Sequence, residues 1–190
     1  MKRVFFIAAV AAWTLCGCVP SLHPLYTEAD TNFDPALVGR WSQGDSKDSW
    51  TFMKEGEQQY KLVYRDPKGK SGEFKVHLLK ASGRLFLDLF PADPDLDEPD
   101  FYKLHVLPAH TFMIVRQIEP TLQMAPLNPQ WMKEFLEDHP DAIDHEAVDG
   151  RIILTAEPRQ LQAFLVKHEK TEDAFGEFSD MTRSAVEKED

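Results

Sequence analysis

The stretch SGEFKVHLLKASGRLFLDLF, residues 71–90, decides the fold class of this 190-residue chain. In its first half Phe74, Val76 and Leu78 alternate with charged or polar residues, which is the period of a strand with one buried face. Its second half, RLFLDLF, is again rich in leucine and phenylalanine. Between them ASG, residues 81–83, is a turn signal of the kind that closes a hairpin. The stretch therefore predicts two antiparallel strands.

Similar segments lie on both sides of this hairpin. They are rich in aromatic and β-branched residues, and turn signals such as RDPKGKSG, residues 65–72, separate several of them. The segments are 38–41, 49–54, 59–65, 101–107, 111–118 and 121–124. With no helical pattern between them, they predict an antiparallel meander sheet or a small barrel of seven to eight strands. Leu79, Phe86 and Val63 are apolar on the outward phase, so we expect a second layer over part of the sheet.

The inward phase of the predicted sheet is dominated by large apolar side chains. In segment 101–107 this phase places Tyr102, Leu104 and Val106 inside. Protein interiors pack densely, and a barrel of this size has little room once such residues point inward. The sequence therefore predicts a closed interior.

Helical patterns appear only after the sheet. NPQWMKEFLEDHP, residues 128–140, offers Asn128 as N-cap, Pro129 at the first helical position and the pair Trp131 and Phe135 four residues apart. EPRQLQAFLVKHEK, residues 157–170, has a similar apolar face, and GRIILTA, residues 150–156, reads as one more short strand. The fold class is thus mainly β (α+β) with one or two C-terminal helices.

The N-terminal 15 residues have the layout of a secretory signal. Lys2 and Arg3 precede an apolar run from Val4 to Leu15 that contains no charge. A membrane-spanning helix needs roughly 20 apolar residues. The run is too short to span a bilayer.

The end of this run, Leu15-Cys16-Gly17-Cys18, resembles the lipobox of bacterial lipoproteins. The resemblance implies cleavage after Gly17 and a diacylglyceryl thioether on Cys18. Both cysteines of the chain lie in the box, so the processed chain would contain no thiol. The alternative is an uncleaved N-terminus with a chance Cys-Gly-Cys.

These assignments divide the chain into four parts: a signal peptide at 1–17, a lipid-anchored tether at 18–36, a single β-rich domain at 37–170 and a polar C-terminal tail at 171–190. The tether is unusual because Leu22, Leu25, Tyr26 and Phe33 make it apolar, whereas flexible linkers are rich in Gly and Ser. Either these side chains pack back on the domain, or they form a docking strip for a partner or for the bilayer surface.

The chain also resembles the lipocalins and the wider calycin group at LVGRWSQ, residues 37–43, where Gly39 and Trp41 are spaced as Gly-x-Trp. That resemblance implies that Trp41 closes the base of the barrel and that an arginine from a late strand, Arg116, stacks on it. With GCVPSLHPLY, residues 17–26, and FDPALVGRW, residues 33–41, the whole chain looks like a set of uncharacterised bacterial lipoproteins. This second resemblance implies no activity.

Charge and motifs argue against several function classes. The net charge of −11 becomes −13 when Lys2 and Arg3 leave with the signal, which disfavours nucleic-acid binding. Asp93, Asp95 and Asp97 alternate as in a calcium loop, but the required glycine and terminal glutamate are absent. No zinc, nucleophile-elbow or phosphate-loop motif is present. We therefore expect no enzyme activity, metal or cofactor.

Two hypotheses remain for the function. The first is an envelope interaction or structural protein, anchored through Cys18, that contacts a protein partner. The second is a lipocalin-like module that holds a lipid or another small apolar ligand in its barrel. In enterobacterial-type lipoproteins, which this box resembles, aspartate after the anchor favours inner-membrane retention; Val19 stands at that position, so the resemblance implies the outer membrane.

Overall fold

The computed structural model describes residues 18–92, 96 and 98–184. These residues form eleven strands and three α-helices, with a 3-10 turn at Pro35–Leu37. The strands are β1 Thr31–Asn32, β2 Gly39–Ser42, β3 Ser49–Glu55, β4 Gln59–Arg65, β5 Ser71–Ala81, β6 Arg84–Pro91, β7 Thr111–Gln117, β8 Gln123–Pro126, β9 His145–Val148, β10 Arg151–Leu154 and β11 Thr182–Ser184. The helices are α1 Asp100–Lys103, α2 Pro129–Asp138 and α3 Pro158–His168.

The main sheet is an antiparallel meander that runs in chain order from β2 to β8. Strand β11 pairs with β2 at one edge, β1 adds to β5, and β9 and β10 form a separate hairpin. The predicted meander and the lipocalin-like, mainly β fold class are confirmed.

The central hairpin explains why the meander forms. Leu78 lies opposite Leu87, and Ala81 lies opposite Arg84 across the turn. The two turn residues, Ser82 and Gly83, both have positive φ, 48° and 83°. Two such residues make a tight turn whose twist matches that of the flanking strands.

Two apolar cores lie on opposite faces of the sheet. The inner core is enclosed by the curled sheet and consists of Leu37, Trp41, Phe52, Tyr60, Leu62, Val76, Leu78, Leu87, Leu89, Val115, Ile118, Leu122, Met124 and Met181. The outer core lies between the sheet and the helices; it includes Leu79, Phe86, Ile114, Leu136 and Leu161. The expected second layer over Leu79 and Phe86 is therefore present.

Helices α2 and α3 begin at identifiable capping residues. The Asn128 side chain accepts hydrogen bonds from the backbone N–H groups of Gln130 and Trp131, and Pro129 occupies the first turn, as predicted. Glu157 and Gln160 form a capping box at the start of α3.

The prediction of a strand at 101–107 is wrong. Residues 100–103 form α1, and Tyr102, Leu104 and Val106 are exposed rather than inward. Two prolines, Pro99 and Pro108, flank the segment and cannot donate to a strand ladder. Strand β6 pairs directly with β7, so the segment has no place in the meander.

The predicted C-terminal tail is wrong for its described part, residues 171–184. Ala174 and Met181 are buried, and β11 pairs with β2. Met181 also exchanges two backbone hydrogen bonds with Leu122, next to β8, and Ser179 N–H donates to the carbonyl of Met124. This segment therefore connects the two edge strands of the meander, β8 and β2.

Candidate functional site

The segment after Cys18 is fixed to the domain rather than extended from it. Ser21 exchanges two backbone hydrogen bonds of 2.9 Å with His110, the residue before β7. On its other side, the backbone of Pro20 and Leu22 bonds to Leu154 of β10, also at 2.9 Å. The segment is thus held between two strands, and the exposed Cys18 lies directly at the domain surface.

Side-chain burial along this segment agrees with its hydrogen bonding. Val19 is 2% exposed and Leu25 is fully buried, both in the outer core. Tyr26 and Phe33 are partly buried against the two cores, while Leu22 is 49% exposed. The interpretation that the apolar residues pack back on the domain is confirmed for all but Leu22. Leu15, Cys16 and Gly17 lie outside the described residues.

A buried carboxylate holds the end of the segment. Asp88, in the middle of β6, has no exposed surface. Its Oδ2 accepts a 2.6 Å hydrogen bond from the backbone N–H of Leu25, and its Oδ1 lies 2.7 Å from Nδ1 of His110. Both oxygens are used, as burial of a charge requires.

Aromatic and imidazole rings surround Asp88. His77 lies opposite Asp88 in the β5–β6 register. The ring of Tyr26 stacks on the His77 ring, with ring centroids 3.9 Å apart. Phe90 covers His110 at 4.5 Å. Burial lowers the pKa of His77, against the opposing effect of the Asp88 charge, and burial together with Asp88 raises the pKa of Tyr26. His77 and Tyr26 are therefore neutral at pH 7.

Ser21, His110 and Asp88 are the residue types of a hydrolase triad, but their arrangement does not suit that chemistry. The Ser21 hydroxyl donates a 2.7 Å hydrogen bond to the carbonyl of His23, and Ser21 has no exposed surface. A nucleophile must reach its substrate and pass its proton to the base. The arrangement fits a clamp that holds the N-terminal segment on the sheet.

Sequence reasoning did not identify this clamp. The sequence does contain one indication of the clamp, which is the charged Asp88 in the otherwise apolar strand LFLDLF. The structure places His77 opposite it on the neighbouring strand. The partners, Leu25 and His110, are 63 and 22 residues from Asp88 in the chain, and no spacing pattern connects them.

An arginine covers Trp41, but it is not the one predicted. Trp41 is fully buried and its Nε1 donates to the carbonyl of Leu37 at 2.9 Å. The guanidinium of Arg183, in β11, lies 4.7 Å from the Trp41 ring, while Arg116 lies 3.6 Å from the ring of Phe178. The prediction that Arg116 stacks on Trp41 is wrong because Arg116 follows the inward Val115 and so points to the outer face of β7.

Gly39 has a backbone conformation that favours glycine, and Arg183 packs against it. Its φ of +144° is one that side chains rarely adopt, and an added Cβ would lie 3.3 Å from Cδ and Nε of Arg183. Arg183 also pairs with Glu119 at 2.9 Å and donates to the carbonyl of Ala36. The Gly-x-Trp pattern thus makes room for an arginine that closes the base of the sheet.

The inner core is filled by its own side chains. Trp41, Phe52, Tyr60 and Leu62 are all fully buried there. Tyr60 lies edge-on to Phe52, with ring centroids 6.4 Å apart, and its hydroxyl donates to the carbonyl of Asp34 at 3.0 Å. Burial raises the pKa of Tyr60 to about 12. Large rings therefore occupy the space where a lipocalin would hold a ligand.

Two clefts are present on the described surface. One, about 310 Å³, is lined by residues that include Arg84, Arg116 and Glu169. The other, about 500 Å³, is open to solvent and lined by Trp41, Glu119, Pro120 and Arg183. Neither offers an enclosed apolar chamber.

The described residues were also compared with the predictions on metal binding and membrane crossing. In the described part of the chain, no three His, Cys, Asp or Glu side chains are arranged to hold a metal ion. Asp93, Asp95 and Asp97 lie outside that part. None of the described helices has the length and hydrophobicity needed to cross a bilayer. No protein-family model, curated protein or solved structure matches the chain.

Proposed function

We propose that this protein is a lipid-anchored, non-enzymatic protein of a bacterial cell envelope that acts through contacts at its surface. The anchor is a thioether at Cys18, formed after cleavage within the box Leu15, Cys16 and Gly17. The membrane is the outer one, because Val19 rather than aspartate follows Cys18. Its partner is another component of the envelope.

The filled inner core is the observation that carries the proposal. A lipocalin-like carrier needs an internal chamber for its ligand, whereas Trp41, Phe52 and Tyr60 meet inside this sheet. Binding of a lipid or small apolar ligand inside the sheet is therefore the weaker alternative.

The position of Cys18 supports the anchoring half of the proposal. Cys18 is exposed, while the residues that follow it are fixed between β7 and β10. A lipid at this position would hold the domain against the membrane instead of on a long tether. The clamp at Asp88 then has a role, because it fixes the orientation of the domain relative to its anchor.

Metabolic labelling with a fatty-acid analogue tests the anchor. We expect the wild-type protein to carry the label and to fractionate with membranes, and Cys18→Ser to lose both properties. The matched control is Cys16→Ser, which removes the neighbouring thiol and should keep both. Label retained by Cys18→Ser would contradict the proposed anchor.

A further inference from the structure

The largest exposed apolar feature of the described chain is a seven-residue segment, 101–107, which we call the apolar segment. Phe101, Leu104 and Leu107 are each 76% exposed, Tyr102 is 56% exposed and Val106 is 40% exposed. Single exposed leucines are ordinary, but five apolar side chains in seven consecutive residues form a patch of the kind that marks a contact site.

The apolar segment is connected to the segment that follows Cys18 through one antiparallel backbone bridge, from which Cys18 and Leu107 lie in opposite directions. Ser21 and His110 are hydrogen-bonded neighbours. Cys18 precedes Ser21 by three residues, and Leu107 precedes His110 by three residues. Three extended residues span about 10 Å and paired strands are about 5 Å apart, so Leu107 lies within about 25 Å of Cys18.

The bridge between Ser21 and His110 limits this separation, because the segment after Cys18 is fixed to the domain. Val19 is buried in the outer core, and Asp88 holds Leu25 by its backbone. A lipid at Cys18 therefore attaches the domain to the membrane within about 25 Å of Leu107.

The chemistry of the apolar segment suits a bilayer surface. Phenylalanine and leucine side chains enter the boundary between headgroups and acyl chains, while Tyr102 and Lys103 can keep their polar ends in the headgroup layer. The neighbouring Glu98 and Asp100 are acidic and exposed, so attraction to anionic lipids does not drive the contact. Burial of the apolar side chains drives the contact instead.

We propose that the apolar segment inserts into the membrane surface beside the lipid anchor, giving the domain a second membrane contact. This inference rests on the proposed anchoring at Cys18. The diacyl anchor by itself leaves the domain free to rotate about Cys18, and a second contact prevents that rotation.

A thiol-reactive fluorophore at Leu104→Cys tests the insertion. The processed chain would contain no other thiol, since Cys16 leaves with the signal and Cys18 is alkylated. The lipidated protein is reconstituted into phosphatidylcholine vesicles with or without brominated acyl chains, which quench only a fluorophore that enters the acyl region. The matched control is Met53→Cys, an exposed apolar position on β3 that is 38% exposed.

We expect the fluorophore at position 104 to lose at least half of its emission in brominated vesicles and the one at 53 to remain unquenched. Vesicle-bound protein with no quenching at 104, or with equal quenching at both positions, overturns the insertion. If the fluorophore at position 104 is shielded in native envelopes but not in vesicles, the insertion is overturned as well, and a protein partner covers the segment. Failure of both labelled proteins to float with vesicles overturns the anchor itself and the inference with it.

Discussion

At the scale of single residues, the fixed N-terminal segment depends on a charge that is costly to bury. Asp88 lies in an apolar layer with no exposed surface, and its two oxygens are satisfied by Leu25 and His110. Removing one member of a buried pair leaves the other unpaired, which costs more than the pair itself contributes. The clamp therefore makes the position of the segment sensitive to one residue.

Asp88→Asn should lower the free energy of unfolding by about 3 kcal/mol or more, because it leaves His110 without its carboxylate in a buried site. Urea unfolding of residues 19–190 measures this. The matched control is Glu73→Gln, which breaks the exposed Lys61–Glu73 pair at 2.7 Å and should cost less than about 1 kcal/mol. Equal effects of the two substitutions would contradict the clamp.

His168 gives the domain a pH dependence. It is 8% exposed, its Nε2 is buried without a hydrogen-bond partner, and the rings of Trp131, Phe135 and Phe164 surround it. Burial lowers the pKa of His168, and the charges of Lys167 and His139 lower it further. The folded domain therefore keeps this imidazole neutral where the unfolded chain protonates it.

The free energy of unfolding should decrease as the pH falls from 7 to 5. The unfolded chain binds a proton near an ordinary histidine pKa of about 6.5, and the folded chain does so only at lower pH, so protons favour unfolding. Urea midpoints at several pH values should decrease less in His168→Phe than in wild type. His105→Phe, at an exposed site, should retain the wild-type slope. Identical slopes in wild type and His168→Phe would contradict this account.

Among the secondary-structure elements, the sequence patterns predicted the strands that pair with a neighbouring strand on each side. Strand β5 was predicted because a strand with one face in the inner core alternates, and β6 because segment 84–90 is rich in leucine and phenylalanine. The same alternation at 101–107 was misleading, because period alone does not show whether a neighbouring strand is free to pair. The prediction for Arg116 failed because the arginine over Trp41 comes from β11. The polar composition of that stretch predicted a tail and not a strand.

The C-terminal segment should contribute strongly to stability, because it joins β8 to β2 and buries Met181. Truncation after residue 173 removes this connection together with Arg183. We expect a loss of more than about 3 kcal/mol in the free energy of unfolding, as for removal of large buried side chains.

Truncation after residue 184 is the control for this experiment, since it keeps every described residue. It should change the free energy of unfolding by less than about 1 kcal/mol. If the shorter chain unfolds at the same urea concentration as the control, the segment does not close the sheet.

For the whole molecule, the lipid anchor follows from a sequence motif, whereas the surface that would contact a partner follows from the fold. The anchor was predicted from a local motif, because the enzymes that process such a signal read a short linear sequence. The closed interior was predicted from the large apolar side chains of the inward phase. The clamp and the exposed apolar segment were not predicted, since each depends on which residues the fold brings together or leaves unpaired. The clamp connects Leu25, Asp88 and His110 from three separate parts of the chain.

Native mass spectrometry of the protein purified from its own envelope tests the central claim, that the interior is filled and the protein acts through its surface. The account predicts the same mass under native and denaturing conditions, equal to the processed chain plus its covalent acyl groups, and no stoichiometric lipid in an organic extract. A fatty acid, lipid or isoprenoid that is bound at one per chain in the native spectrum and lost on denaturation would contradict it.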